Sequence, residues 1–405
     1  MSSSRPTISN TTKLILVGGM LASGVCNTIL NKYQDMQCVA NCEDPDPTKR
    51  EFFEQPIWQT LNMFVGETGV WIVYFYQMWE HRQKLASSSG IPPSAVNQLD
   101  AAAIVDDVDT QIKPNTPELK GIKSLLFWIP TLCDLTATTV MNVGLLLTSA
   151  SVYQMLRGAV VIFTGLFSYL FLNRRLRAYE WFSLVLVVTG VGIVGLSSVL
   201  YPQKRPSATS LNNNGLIGSD EDFKALLGVG LVLGAQLFTA TQFVIEEKIM
   251  MHYKVTPLKA VGLEGSFGLL SVLMAMPILD FLLGSQHPFF NISKGFHDFF
   301  DNPVVWQTGL AISFSIAFFN WFGLSITSSV SATSRSTIDA CRTLFIWMVS
   351  LYLGWEQFSG IQVVGFVVMV IGTFYFNGVL RWPLVKSDED DTLDETAPLL
   401  STEES

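Results

Sequence analysis

With 405 residues, 49% hydrophobic and only 15% charged side chains, the chain is too apolar for a water-soluble domain, in which about a quarter of residues carry charge. Its net charge of −9 gathers in loops and in an acidic C-terminal tail, with no basic face or aromatic–basic platform, so nucleic acid is not an expected partner. Five cysteines lack metal-ligand spacing, and His81, His252, His287 and His297 lie in loops without a nucleophile nearby. No metal, cofactor or enzymatic activity is expected from this pattern.

Ten apolar runs approach the roughly 20 residues that a membrane crossing needs. They fall near 13–32, 57–79, 122–142, 150–172, 178–200, 223–246, 258–283, 304–327, 333–354 and 357–380. A tail over 1–12 precedes them, a Ser/Pro/Asn/Asp-rich connector spans 80–120, a second polar linker spans 201–222, and 381–405 is acidic. Neither linker has an apolar period, so both read as unstructured.

A shift of 182 positions lays one half on the other: Ser149-Ala150-Ser151 meets Ser331-Ala332-Thr333, Phe163 meets Phe345, Ser168 meets Ser350 and Gly190 meets Gly372. The expected fold is therefore an all-α polytopic membrane protein of ten transmembrane helices, built as two inverted five-helix repeats over 13–200 and 223–380. With the N-terminus in the cytosol, fifteen basic residues fall on the cytosolic side against six on the other. That asymmetry puts both termini in the cytosol.

On this orientation, Asn291-Ile292-Ser293 is a glycosylation acceptor pattern in a lumenal loop, and Cys38 and Cys42 lie where a disulfide is permitted. In the tail, Glu395 precedes Leu399-Leu400 with the spacing of an acidic dileucine sorting signal, the kind read by clathrin adaptor complexes. This favours a lysosomal or vacuolar membrane, with Golgi or endoplasmic reticulum as alternatives.

Intramembrane charge is costly and marks functional candidates. Arg157 falls inside the fourth run, with Gln154 and Ser151 on or near its face; Arg335, Asp339 and Arg342 share one face of the ninth run at spacings of four and three. On the repeat register Arg157 meets Asp339. Asp134, Glu264, Asn320 and Glu67 are further polar groups at depth, whereas Glu246, Glu247, Lys248 and Lys32 read as interfacial residues at helix ends.

The run Met155-Leu156-Arg157-Gly158-Ala159-Val160-Val161-Ile162-Phe163-Thr164-Gly165-Leu166-Phe167-Ser168 resembles the signature of the member-6-like transporters of solute carrier family 35, subfamily F. Ile129-Pro130-Thr131-Leu132-Cys133-Asp134, Val261-Gly262-Leu263-Glu264-Gly265, Ala317-Phe318-Phe319-Asn320 and Gly354-Trp355-Glu356 extend that resemblance over most of 13–378. It implies an EamA-like carrier of the drug/metabolite transporter superfamily, with a central cavity and a poorly defined cargo.

The expected function is secondary transport of a small polar, anionic metabolite across an endomembrane by alternating access. Arg157, Arg335 and Arg342 would contact the anion, Asp339 and Asp134 would orient them, and Glu264 would compensate charge or link protons. The alternatives are a non-transporting scaffold or receptor with a carrier fold, and a proton-coupled exporter of cations or drugs using Glu67, Asp134 and Glu264.

Overall fold

Polar side chains set where the helices of the second half begin. The side chains of Thr256, Asn291, Asn302 and Ser331 each accept a backbone N–H from the first turn that follows. Each cap satisfies a donor that has no partner within the helix. Pro257 and Pro303 follow two of these caps at the first helical position, where no N–H is needed.

The computed structural model describes residues 9–46, 49–53, 55–89, 117–147, 156–173, 176–200, 219–284, 290–355, 358–377 and 379–380. Within them the helices are α1 (Asn10–Asp35), α2 (Pro56–Ser89), α3 (Trp128–Leu147), α4 (Val160–Leu172), α5 (Ala178–Leu200), α6 (Ser219–His252), α7 (Pro257–Leu283), α8 (Ile292–Phe300), α9 (Pro303–Ser329), α10 (Ala332–Tyr352) and α11 (Gly360–Phe376). A 3-10 helix, Gly121–Phe127, leads into α3, and strands β1 (Cys38–Ala40) and β2 (Glu51–Phe52) pair antiparallel between α1 and α2.

The expectation of ten membrane-crossing helices in two inverted repeats is overturned. Among the described residues five helices are long and apolar enough to cross: Thr11–Asp35, Gly121–Gly144, Leu226–His252, Pro257–Leu282 and Pro303–Ser329. Three causes account for the difference. The second helix, α2, is long but not apolar enough, its Gln, Asn and Glu side chains and its Trp and Tyr rings lowering its hydropathy. Val160–Leu172, Ala178–Val194 and Gly360–Phe376 are apolar but short; the 13 residues of α4 reach only about 20 Å at 1.5 Å per residue. In α10, Arg335, Asp339 and Arg342 face protein, and a helix turned inward does not need a continuous apolar run.

Two linker boundaries also differ from the sequence reading. The second helix continues to Ser89, well past the expected start of the connector at 80. At the connector's other end, the backbone at Glu118 forms a parallel β-bridge with that at Lys254, and the Lys259 ammonium donates to the Leu119 carbonyl at 3.0 Å.

The most extensive helix pairings join the two halves of the chain: α1 with α9, α2 with α7, α3 with α6, and α5 with α11. Glycines permit two of these close approaches. A Cβ on Gly190 would lie 2.5 Å from the Met369 nitrogen, and one on Gly265 would lie 2.5 Å from the Thr68 nitrogen. Small residues at crossings let backbones meet, which supplies the packing that drives helix association in lipid. The outer faces carry exposed Ile72, Phe75, Phe281, Phe314 and Tyr352, an apolar surface suited to acyl chains.

At one end, the hairpin and α8 form a cap. Cys38 and Cys42, where the sequence permitted a disulfide, are bonded. Asn302 Nδ2 donates to the Cys38 carbonyl at 3.0 Å, Gln55 Nε2 donates to Asp298 Oδ2 at 2.8 Å, and buried Phe53 packs on Phe299. The Lys294 ammonium reaches Glu51 Oε2 at 2.7 Å, and that hydrogen bond raises the lysine pKa above its ordinary value. Asn291 serves as the α8 cap, its Oδ1 accepting from Lys294 N at 2.8 Å.

Candidate functional site

The site begins with α10, whose first half is small and buried: Ala332, Thr333, Ser334, Ser336 and Thr337 surround Arg335. These short side chains let α6 and α9 close upon the guanidinium. Arg335 Nη1 donates to Glu246 Oε2 at 2.5 Å, and its guanidinium lies 4.2 Å from the centre of the Phe243 ring. Gly323 leaves room on the other side, where a Cβ would come 2.7 Å from Arg335 Nε. Glu247 turns the opposite way, and its Oε2 accepts the Ala332 N–H at 2.8 Å, fixing the start of α10.

Arg342, two turns along the same helix, repeats this arrangement with different residues. Its Nε lies 3.1 Å from Asp339 Oδ1, its guanidinium sits over Phe319 at 4.9 Å, and Gly24 provides the gap. Each arginine thus has a carboxylate, an aromatic face and a glycine recess. An aromatic face adds attraction for a desolvated cation.

Glu67 enters from α2. Gly265 brings the α2 backbone against α7, and a Cβ on Gly66 would meet the Ser313 backbone of α9 at 2.3 Å, so Glu67 is held between those two helices. Asn320 Nδ2 donates to Glu67 Oε1 at 2.5 Å. Glu67 interacts electrostatically with Asp134, Glu246 and Arg335. Glu264 interacts with the same three and with Glu67. Thr131 Oγ1 reaches the Glu264 carbonyl oxygen at 3.5 Å, which ties α3 to the site.

The result is one group of three buried carboxyls, the half-buried Asp134 and one guanidinium, contributed by α2, α3, α6, α7 and α10. Glu67 is 2% exposed, Glu246 0%, Glu264 6% and Arg335 2%. Isolated charges at such depth are strongly disfavoured, and they persist only when paired, neutralised or occupied. Here Glu246 Oε1, Glu264 Oε1 and Arg335 Nε have no hydrogen-bond partner.

Of the residues expected at the site, Asp134, Glu264, Asn320 and Arg335 come together. Asp339 and Arg342 form a separate pair further along α10, beside α1 and α9. Arg157 is not deep within a continuous helix. It stands half-buried just before a turn at Gly158 and Ala159, and α4 starts after that turn. The turn packs tightly, since a Cβ on Gly158 would strike Val191 of α5. Gln154 and the tail residues Glu395, Leu399 and Leu400 lie outside the described residues.

Two members of the group were not given this place by the sequence reading. Glu246 is buried rather than interfacial, because α6 runs on to His252. A signal was present: no Gly or Pro interrupts the chain between Glu246 and Pro257, so nothing ends the helix at the carboxylates. Glu67 was one acid among several, and its marker is the neighbouring Gly66, a residue that permits close helix approach.

Comparison with known proteins gives this architecture a family. Residues 104–372 match the model of the nucleotide-sugar transporter family. Human solute carrier family 35 member F6 is 36% identical over 375 residues, covering 91% of this chain and 90% of its own length. The chain belongs to the solute carrier 35 F6-like transporters. The mouse member is 34% identical over a similar extent, and a Schizosaccharomyces pombe protein is 35% identical over 91% of this chain and 98% of its own. A solved crystal structure shares the fold at a TM-score of 0.54 and 10% identity, covering 92% of this chain and 98% of that one.

Membership in this carrier family makes the chain a multi-pass membrane transporter of a small solute, not an enzyme. The family fits the observed pairing of helices across the two halves, with charged side chains gathered at their junction.

Proposed function

We propose that the chain moves a small polar solute across an endomembrane by alternating access, and that the group formed by Glu67, Asp134, Glu246, Glu264 and Arg335 recognises it. The observation carrying this reading is the excess of carboxyls over guanidinium in one buried place that five helices share. Ionisable side chains that converge inside a membrane protein, away from lipid, mark solute pathways.

The charge balance favours a solute with a cationic or strongly donating group. The anionic cargo expected from sequence would need free arginines. Arg335 is already held by Glu246 and Arg342 by Asp339, so an anion would have to displace a carboxylate and then sit among others. A cationic group meets acceptors that lack donors, Glu246 Oε1 and Glu264 Oε1. The support therefore lies with the exporter-type alternative.

Thermal unfolding of the purified protein in lipid, against matched panels of small amines and small organic anions, tests this. Amines should raise the unfolding temperature of the wild type and lose that effect in Glu264→Gln. Stabilisation by anions alone would overturn the cationic reading. The acidic dileucine pattern at Glu395, Leu399 and Leu400 supports a lysosomal or vacuolar destination, tested by the location of a Leu399→Ala/Leu400→Ala variant.

A further inference from the structure

The relation of Glu246 to Glu264 carries a step beyond solute recognition. Glu246 uses Oε2 for Arg335, and its Oε1 has no donor. Glu264 projects from α7 to within hydrogen-bonding reach of Glu246, and its own Oε1 also has no donor. Both are carboxylates, and two acceptors cannot bond one another. A hydrogen atom on one of them turns that approach into a hydrogen bond.

The elements around the pair offer few other donors. On α2, Glu67 is an acceptor engaged by Asn320 of α9. On α3, Asp134 is another acid, with Cys133 beside it. On α6, the Gln242 amide one turn before Glu246 also reaches that carboxyl but leaves the Glu264 carboxyl without a donor, and Glu247 is turned to the start of α10. On α10, Arg335 is already directed at Glu246 Oε2, and Arg342 lies two turns away against Asp339. Among the described residues no three His, Cys, Asp or Glu side chains converge to hold a metal ion.

We infer that Glu246 and Glu264 share one exchangeable proton, which fills the solute site when the solute is absent and makes transport proton-linked. This rests on the reading of the acidic group as the solute site. The step is balanced: arrival of a monocationic group breaks one carboxyl O–H bond, the proton leaves to the compartment the site faces, and the site's net charge is unchanged. Departure of the cation reverses it.

Infrared difference spectroscopy of the full chain in lipid tests the proton directly and requires no solute. The wild type should show a protonated-carboxyl C=O stretch that shifts in heavy water. Glu264→Gln should lose that band, because the glutamine amide then donates to Glu246. Glu246→Gln should lose the same band, since the amide then donates to Glu264. If Glu264→Gln keeps the wild-type spectrum, the inference is overturned. If Glu264→Gln loses the band while a folded Glu246→Gln retains it, the proton belongs to Glu264 alone and sharing is overturned. Should Glu246→Gln fail to fold, Glu264→Gln decides the matter. A chain with the shared band but no flux of any amine keeps the proton pair and loses the carrier reading of the site, so the two failures are distinct.

Discussion

Arg335 Nη1 lies 2.5 Å from Glu246 Oε2, and the two side chains are 3% and 0% exposed. The pair joins α10 to α6 within the second half of the chain. Whether such a pair stabilises relative to apolar residues depends on its surroundings, but removing one partner is costly because the other charge is left buried. Glu246→Ala should therefore destabilise by about 3–5 kcal/mol. Glu246→Ala with Arg335→Met should recover much of that loss. Thermal unfolding in lipid measures both; equal stability of the single and double variants would show that the charge left behind is not the problem.

Gly323 offers a test of the recess rather than of the charge. A Cβ there would come 2.7 Å from Arg335 Nε, with the rest of the guanidinium close behind. Overpacking of this kind typically costs about 1–3 kcal/mol. Gly323→Ala should destabilise within that range and weaken amine binding by moving Arg335 and Glu246. Gly69, whose added Cβ would meet open space, should accept alanine with little change. Because alanine is the better helix former, propensity alone favours both changes, and similar losses at both positions would show that the Arg335 recess does not set the cost.

Much of the site was legible because charge spacing in a helix is unambiguous. Arg335, Asp339 and Arg342 fall on one face by arithmetic, and Asp134, Glu264 and Asn320 stand out against apolar neighbours. What spacing could not give was the partner of each charge. Asp339 pairs within its own helix, while Arg335 reaches across to a glutamate placed by the sequence at a helix end.

The helix count was misread for a related reason. Apolar runs mark where lipid-facing residues lie, but they pass over interior breaks. The run through Arg157 contains Gly158, which is costly in a helix by about 1 kcal/mol, followed by the β-branched residues Val160, Val161 and Ile162. The chain turns at Gly158–Ala159, and a single predicted span becomes a shorter helix. Conversely, α10 forms close to where the ninth run was expected, but its charged inner face keeps it out of the count of apolar spans.

The cap formed by the hairpin and α8 should respond to alkali. The Glu51 hydrogen bond raises the Lys294 pKa, so the protonated form is favoured when the cap is docked. For a raised lysine the contribution is complete below the ordinary lysine range, about 10.4, and is lost as pH climbs through the docked value. Amide protection across β1 and β2, taken relative to the intrinsic exchange rate at each pH, should be steady through neutral pH and fall above that range. Lys294→Met should exchange faster at neutral pH and lack the alkaline transition. An unchanged exchange profile in that variant would remove Lys294 from any role in docking the hairpin.

Reduction of Cys38–Cys42 should loosen the same hairpin without dismantling the helical body. Short loops gain less from closure than long ones, and stabilisation of about 2 kcal/mol is expected. Cys38→Ser with Cys42→Ser should raise exchange across β1 and β2, while the α5–α11 pairing, far along the chain, stays protected. Global loss of protection would show the disulfide to be needed by the whole fold.

Counterflow into proteoliposomes, with labelled small amines and labelled small organic anions supplied in parallel, tests the central claim most directly. The wild type should accumulate one or more amines, and Glu264→Gln, equally folded and equally inserted, should not. Accumulation of anions alone, undiminished in Glu264→Gln, would contradict a carrier built around the carboxyls of α2, α3, α6 and α7.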